Sequence, residues 1–460
     1  MNFAVCVDFG STYTKVVCVD LKLRKAVVTD KFPSTVHTDA AIGLGQCFDR
    51  VKSEIGDANF EEALKLATSS AAGGLRMAVV GLTESLSNKA GRHASFSAGA
   101  KIVYNAAGLL KEEDLRAIEV SDAEILLICG GYEKGNTKAV LQNIYAIADS
   151  NISIPVIYAG NSMIAQDVRI LLASKGKECF IAENIIPEIG KLNTEPTAEI
   201  VRNLFMSRIT NMKGVGQVQE KLDGPIIPTP AAVLSAGELL SRGTDISNGL
   251  GNLMMVDIGG ATTDIYSYIE NISYKGAKII GVPEPFAKRT VEGDMGMRES
   301  SVCLVKEAGE KGFAADCQIG EAELHDAIEK RLKDTAYIAD NPLDKRIDRH
   351  IAQTAARISA RRHSGRTERA LVKGTNLIQM GKNLTEIKNV IGIGGIIVNS
   401  EDPISILKNV CVDSHEKDTV LLPENINGFI DQDYVFFAAG LLREYDEEAA
   451  LAIMKKSLRN

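Results

Sequence analysis

The eight cysteines of this chain include no CxxC pair: Cys6, Cys18, Cys47, Cys129, Cys179, Cys303, Cys317 and Cys411 are scattered along 460 residues. That excludes a zinc knuckle and a disulfide scaffold, both of which need short, regular spacings. Most of the cysteines stand in apolar, strand-like runs, where a reduced thiol behaves as a small hydrophobe, so a reducing cytoplasmic setting is expected. An excess of positive charge is also missing. With a formal net charge of −8, the chain is not expected to bind nucleic acid, whose phosphates are held by surplus Lys and Arg. The first apolar run is interrupted by Asp8 and follows no basic residue, so it is expected to be a strand rather than a signal peptide. The longest uncharged stretches, such as NVIGIGGIIVNS (Asn389 to Ser400), are too short and too rich in glycine to cross a bilayer, so no membrane partner is expected. Low-complexity tracts and long flexible linkers are absent as well.

What the sequence does contain fits two domains, since one core rarely extends over so long a chain. Short apolar runs alternate with helix-length segments, which implies α/β architecture. Phe3–Phe9 and Thr14–Asp20 read as a hairpin. Met77–Gly81, Glu124–Cys129, Pro155–Ala159 and Glu178–Ala182 read as further strands. Thr137–Ala148 and Ser162–Ser174 read as helices between the last three, so residues from about 120 to 185 form a βαβαβ unit. Glu188 to Leu222 reads as helical, followed by a break at Pro225, Pro228 and Pro230. Met297 to Asn389 reads as almost wholly helical, before apolar runs return at Val390 and Val420.

The opening MNFAVCVDFGSTYTKVVCVD has a counterpart in LMMVDIGGATTDIYSY (Leu253 to Tyr268): an apolar run, an aspartate, small and hydroxyl residues, then a second apolar run. A tight turn of Gly10, Ser11 and Thr12, or of Gly259, Gly260, Thr262 and Thr263, offers small side chains and backbone N–H groups to a phosphate chain. Asp8 and Asp257 would then lie beside the phosphates, where two carboxylates repel a polyanion unless a cation intervenes. The pair therefore points to Mg²⁺ held by Asp8 and Asp257 through water, with Lys15 balancing the remaining charge. Taken singly, a strand ending in D-x-G is equally an ordinary turn.

The order of three further pieces separates these readings. TPAAVLSAGELL (Thr229 to Leu240) is a proline-led, alanine-rich helix suited to close packing. VIGIGGIIVNS ends a strand in Gly392, Gly394 and Gly395, where a flat ring can lie on bare backbone. DQDYVFFAAGLL (Asp431 to Leu442) is another helix of small residues. The sequence of phosphate hairpin, helix, phosphate hairpin, glycine-rich adenosine loop and helix resembles the actin, sugar kinase and heat-shock ATPase superfamily. Its fold is two actin-like lobes of ribonuclease H type. Across most of the chain, DFGSTYTKVV, SSAAGGLRMAVVGL (Ser69 to Leu82), NIIPEIGKLNTEP (Asn184 to Pro196), MVDIGGATTDIYS and TVEGDMGMR (Thr290 to Arg298) resemble more narrowly the MutL accessory family of glutamate mutase (methylaspartate mutase). That family is unrelated to the mismatch-repair protein sharing those letters.

The resemblance implies an ATPase that uses ATP and Mg²⁺. It implies a reactivating chaperone for an adenosylcobalamin-dependent mutase, whose subunits are the expected partners and whose damaged cobalamin it helps to release. It implies an N-terminal lobe over residues 1–250 with an α/β insertion at about 65–185, a C-terminal lobe over 251–430 with a helical subdomain at about 297–389, and 431–460 packing back on the first lobe. In the heat-shock chaperones a glutamate precedes the proline of the first of these helices and helps orient water; here that residue is Thr229, so fast hydrolysis is not expected. Glu238, farther along, reads as a solvated helix residue. A small-molecule kinase of the same superfamily is the alternative, and it needs a catalytic base that no residue here declares.

Several other signals have plainer readings. GGYEKGNTK (Gly130 to Lys138) lacks the ending of a Walker loop and reads as a structural turn. The GIGG run lacks the acidic partner of a dinucleotide fold. Asp348-Arg349-His350 begins like a cobalamin-ligating D-x-H motif, but Gln353 stands where its glycine belongs. Lys345 to Ala370 is an arginine-rich amphipathic segment, either a solvated face or a contact for adenine or an acidic partner. Glu292 and Asp294 are either Mg²⁺ or partner contacts, or part of a capped turn.

Overall fold

Valine-rich, β-branched runs favour extended backbone, and in a computed structural model Phe3–Phe9 is β1, paired antiparallel with β2 (Tyr13–Asp20), which in turn pairs with β3 (Lys25–Pro33). The structure describes every residue except Ser11, His37, 71–74, Asn136, 210–214 and 371–376, and the side chains at 208, 209 and 215. β4 (Leu64–Ser69) lies parallel to β1 on its other edge. Both faces of β1 are covered, because Ala4, Val5, Cys6 and Val7 have no exposed surface.

An inserted parallel sheet follows: β5 (Arg76–Gly81), β6 (Lys101–Ala107), β7 (Ile125–Cys129), β8 (Val156–Tyr158) and β9 (Cys179–Ile181), in the order β6-β5-β7-β8-β9. Alternation along its strands feeds two cores. Met77, Val79, Leu127 and Cys129 join the core that contains Val5, Val7 and Phe9. Ala78, Val80, Leu126 and Ile128 pack on the far face with Val140, Ile144 and Val168 from the crossover helices. Burial on both faces is why these strands read as unbroken apolar runs. β10 (Ile227–Pro228) then joins β4 and completes the first sheet in the order β10-β4-β1-β2-β3.

The same plan is built a second time. β11 (Leu253–Ile258) pairs antiparallel with β12 (Thr263–Tyr268). β13 (Lys278–Ile280) belongs to a small separate sheet, and β14 (Ala287–Glu292) pairs antiparallel with β12. β15 (Arg366–Arg369) and β16 (Leu377–Met380) join β13. β17 (Asn389–Ile393) runs parallel to β11, β18 (Asn427–Asp431) runs parallel to β17, and β19 (Leu458–Arg459) closes the edge. Each sheet thus contains an antiparallel meander of three strands whose first strand is extended on its other edge by two successive parallel strands. This is the duplicated, actin-like α/β architecture expected from the sequence.

The chain divides into two compact units. One comprises Met1–Ala236, Gly281–Pro283 and Phe437–Ile453; the other comprises Gly237–Ile280, Glu284–Phe436 and Met454–Asn460. The division falls inside the helix Thr229–Arg242 and at the start of the helix Phe436–Leu442. Within the first unit these helices touch through backbone: a Cβ on Gly440 would lie 2.0 Å from the Ala232 carbonyl oxygen. Small residues are what allow so close an approach.

The structure departs from the sequence reading in extent more than in kind. The βαβαβ unit is part of a five-stranded sheet reaching back to Arg76. Its edge strand β6 is half-exposed along most of its length, and its apolar run Ile102–Tyr104 is interrupted by Asn105. The segment from Met297 to Asn389 is helical only to His363 and then gives β15 and β16. No helix among the described residues is long and apolar enough to cross a membrane.

Candidate functional site

In the first unit, β1, β4 and β10 end side by side, and Asp8 sits one residue before the end of β1, in register with Thr68. The carboxylate is 2% exposed. Thr68 Oγ1 donates to Asp8 Oδ1 at 3.0 Å and Thr229 Oγ1 donates to the same oxygen at 2.6 Å. Lys15, directly across the hairpin, brings Nζ to 3.7 Å from Oδ2. A carboxylate this buried needs hydrogen-bond donors, and two hydroxyls and a distant ammonium supply them. Thr229 is therefore a support for Asp8, while Glu238 pairs with Arg242 at 3.0 Å on the same helix.

The turn that follows is closed by Gly10 N donating to the Tyr13 carbonyl at 3.0 Å. Ser34 then takes two of the turn's carbonyls: its N–H donates to Thr12 O at 2.9 Å and its Oγ to Gly10 O at 2.6 Å. Gly10 has no room for a side chain, since a Cβ there would lie 2.7 Å from Tyr13 O. Thr12 is exposed at the tip, and Ser11 lies outside the described residues.

The second unit repeats this geometry around Asp257, with Gly259 N donating to Thr262 O at 2.9 Å. Here the loop after β14 backs the turn. Met297 N donates to Gly259 O at 3.0 Å, and Arg298 N and Glu299 N donate to Gly260 O at 2.8 and 3.1 Å. Ser300 Oγ donates to Ala261 O at 2.6 Å. Gly260, Ala261 and Thr262 are left at least partly exposed. Thr263, expected beside a phosphate, is instead wholly buried and donates to Met295 O at 2.6 Å. As a strand residue it points into the sheet's covered face. Opposite Asp257 the place of Lys15 is taken by Asp264, whose charge is met by buried Arg289, Nε to Oδ1 at 2.7 Å. Burial opposes charge on that guanidinium, but Asp264 and Tyr266 outweigh it and raise its pKa.

The glycine loop after β17 stands beside the same aspartate. Gly394 has φ +90°, and a Cβ there would lie 2.7 Å from Asp257 Oδ1, so glycine is required twice over. Gly395 is exposed, with open space around it apart from Asn399 and Tyr434 at 3.8 Å. Gly392 is buried in the strand, and its missing side chain makes room for Ile397 and Leu407. Its role here is packing.

The remaining signals resolve into structural contacts. In GGYEKGNTK, Glu133 accepts from Ser162 N at 3.2 Å and Asn184 Nδ2 at 2.7 Å, tying three loops together. Asp348 is gripped by Arg331 and Arg298, and His350 packs edge-on against Phe313, with burial lowering its pKa. Arg362 bridges Glu292, Asp294 and Glu307, and Arg361 bridges Asp413 and Glu416. Among the described residues Asp413, His415 and Glu416 have metal-ligand spacing, but Arg361 already supplies their cation. The residues that sequence reasoning missed are Thr68, Ser34, Ser300, Arg289 and the buried Arg298–Asp348 pair; no local motif marks a residue that acts across sequence distance.

Comparison with known proteins adds the family. The family model described as MutL protein matches residues 4–458. Protein MutL of Clostridium tetanomorphum is 34% identical over 460 residues, covering 100% of this chain and 99% of that one. Solved structures overlay more loosely. The ethanolamine utilization protein EutJ from Carboxydothermus hydrogenoformans gives a TM-score of 0.31 at 10% identity, over 98% of this chain and 89% of that chain. Xylulose kinase from Bifidobacterium adolescentis gives 0.33 at 9% identity, over 98% and 92%. With a whole-length family match and a full-length relative above 30% identity, the chain belongs to the MutL protein family.

Proposed function

We propose that this protein is an ATP-dependent reactivating chaperone for an adenosylcobalamin-dependent mutase, most simply glutamate mutase, and that it promotes release of damaged cobalamin. The observation that carries the nucleotide half is the duplication: two turns closed in the same way, each two residues after an aspartate, with the carbonyls of Gly10 and Thr12 in one and of Gly259, Gly260 and Ala261 in the other taken from behind. Such turns favour anions because only N–H dipoles remain to face a ligand. The family match supports the mutase half.

In this reading the turns at Gly10, Ser11 and Thr12 and at Gly259, Gly260 and Thr262 bind phosphates, and Gly394 and Gly395 leave backbone bare for the adenine ring. Asp8 and Asp257 would hold Mg²⁺ through water, and Mg²⁺ when bound neutralises charge developing on the transferred phosphoryl group. The residues fit that ion: Asp8 has only one oxygen engaged by hydroxyls, and Lys15 stays 3.7 Å from the other. Thr68 and Thr229 hold the Asp8 carboxylate in one orientation. No carboxylate stands at Thr229 to activate water, so turnover is expected to be slow. Slow hydrolysis suits a switch whose bound state must persist while a partner opens.

The test uses glutamate mutase inactivated with hydroxocobalamin, then given fresh adenosylcobalamin, Mg²⁺ and this protein. Activity is expected to return with ATP, to stay low with a non-hydrolysable analogue, and to be abolished by Asp257→Asn. Equal recovery without nucleotide would sink the proposal. A phosphorylated metabolite formed in its place would make the protein a kinase.

A further inference from the structure

A trans peptide points its C=O and the next residue's N–H in opposite directions, so whatever captures the carbonyls of a turn decides where its N–H groups face. In the second unit the capture is complete. The carbonyls of Gly259, Gly260 and Ala261 accept from Met297 N, from Arg298 N and Glu299 N, and from Ser300 Oγ. The N–H groups on the same three peptides belong to Gly260, Ala261 and Thr262, and among the described residues none of them has an acceptor. A glycine-glycine peptide flips easily because no Cβ resists it, and a flip would turn a carbonyl oxygen toward an anion.

The capturing segment is itself anchored. Arg298 is only 12% exposed at its side chain. Nη2 donates to Asp348 Oδ2 at 3.1 Å and to Tyr337 O at 2.9 Å, while Nη1 donates to Met297 O at 3.0 Å. Asp348 is held in turn by Arg331, whose side chain is wholly buried, Nε to Oδ1 at 2.7 Å. The Ser300 hydroxyl also lies 2.8 Å from Gly293 O, so its one proton is placed between two carbonyls, with Ala261 O the nearer at 2.6 Å. Gly296 must be glycine for this docking, because a Cβ there would lie 2.3 Å from the Ala261 carbonyl carbon.

We propose that Arg298, anchored on Asp348, and Ser300 are positioning residues for the second turn: they lock its peptide planes so that three N–H groups face an anionic ligand. The inference rests on the phosphate-binding reading of that turn and extends it to residues no nucleotide would touch. Among the described residues Ser34 captures carbonyls of the first turn in the same way, through its N–H to Thr12 O and its Oγ to Gly10 O.

The test is calorimetric titration of the full-length protein with Mg–ADP and, separately, with adenosine. Arg298→Ala and Ser300→Ala are each expected to weaken Mg–ADP at least tenfold and leave adenosine within about twofold, with Arg298→Lys recovering part of the loss. Asp348→Asn should resemble Arg298→Ala. Ser300→Ala removes one hydroxyl and keeps the ion pair, so it remains informative if Arg298→Ala does not fold. Unchanged Mg–ADP affinity in Ser300→Ala and Arg298→Ala would overturn the inference, as would equal loss of Mg–ADP and adenosine, the mark of general damage. If the wild-type protein binds no Mg–ADP, the nucleotide reading itself falls and takes this inference with it.

Discussion

At the scale of single residues, the most consequential contact is Thr229 on Asp8. The sequence marks Thr229 only as a departure from the glutamate of the heat-shock chaperones, which is a statement about what is missing. The structure gives it a task, a 2.6 Å hydrogen bond to a 2%-exposed carboxylate. Hydrogen bonds to charged groups contribute about 1.5–3 kcal/mol. Thr229→Val keeps the shape and removes the donor. It should lower Mg²⁺-dependent ATP turnover roughly tenfold or more while adenosine affinity is kept. Steady-state turnover with an adenosine titration checks this, and unchanged turnover would show that Thr68 alone suffices.

At the scale of elements, Asp431 joins the end of β18 to the start of the helix Phe436–Leu442. Its carboxylate is buried and accepts from Val435 N at 3.1 Å, Phe436 N at 3.3 Å and Ser457 Oγ at 2.6 Å. Burial raises its pKa from 3.8 to about 6, against those hydrogen bonds, which favour the charged form. The folded protein therefore binds this proton more tightly than the unfolded chain does. The resulting stability is fully present below about pH 4 and is lost as pH rises through about 6. Asparagine resembles the protonated form at every pH. Urea unfolding from pH 4 to 7 should thus show Asp431→Asn gaining on wild type by on the order of 1–3 kcal/mol as pH rises. A difference independent of pH would remove the argument.

At the scale of the whole molecule, the repeated sheet makes a prediction about ligand linkage. A ligand that binds only the folded chain stabilises it by RT ln(1 + [L]/Kd), about 2.7 kcal/mol at a hundredfold excess over Kd. On the proposed reading, in which both aspartate turns serve one nucleotide, Mg–ATP should raise the thermal unfolding midpoint, and Asp8→Asn and Asp257→Asn should each remove most of the rise. Differential scanning calorimetry with and without Mg–ATP reads this directly. A shift retained in one variant would assign the nucleotide to the other turn alone.

What the sequence determined by itself was whatever depends on near neighbours. The two hairpins were legible because apolar alternation sets a strand and glycine sets a turn, so Phe3–Phe9 as read is β1 as found. The placing of the aspartates near strand ends, of Gly394 in a turn and of the two helices of small residues was legible for the same local reason. Thr263 was misjudged because a hydroxyl beside a turn looks available until the strand's covered face is known. Gly392 was likewise assigned to a ligand when it serves the approach of Ile397 and Leu407. Strand order, the shared core of β1 and the inserted sheet, and the pairing of Arg298 with Asp348 were decided only by tertiary structure. They join residues tens to hundreds of positions apart, and no periodicity or spacing records which buried carboxylate a distant guanidinium will meet.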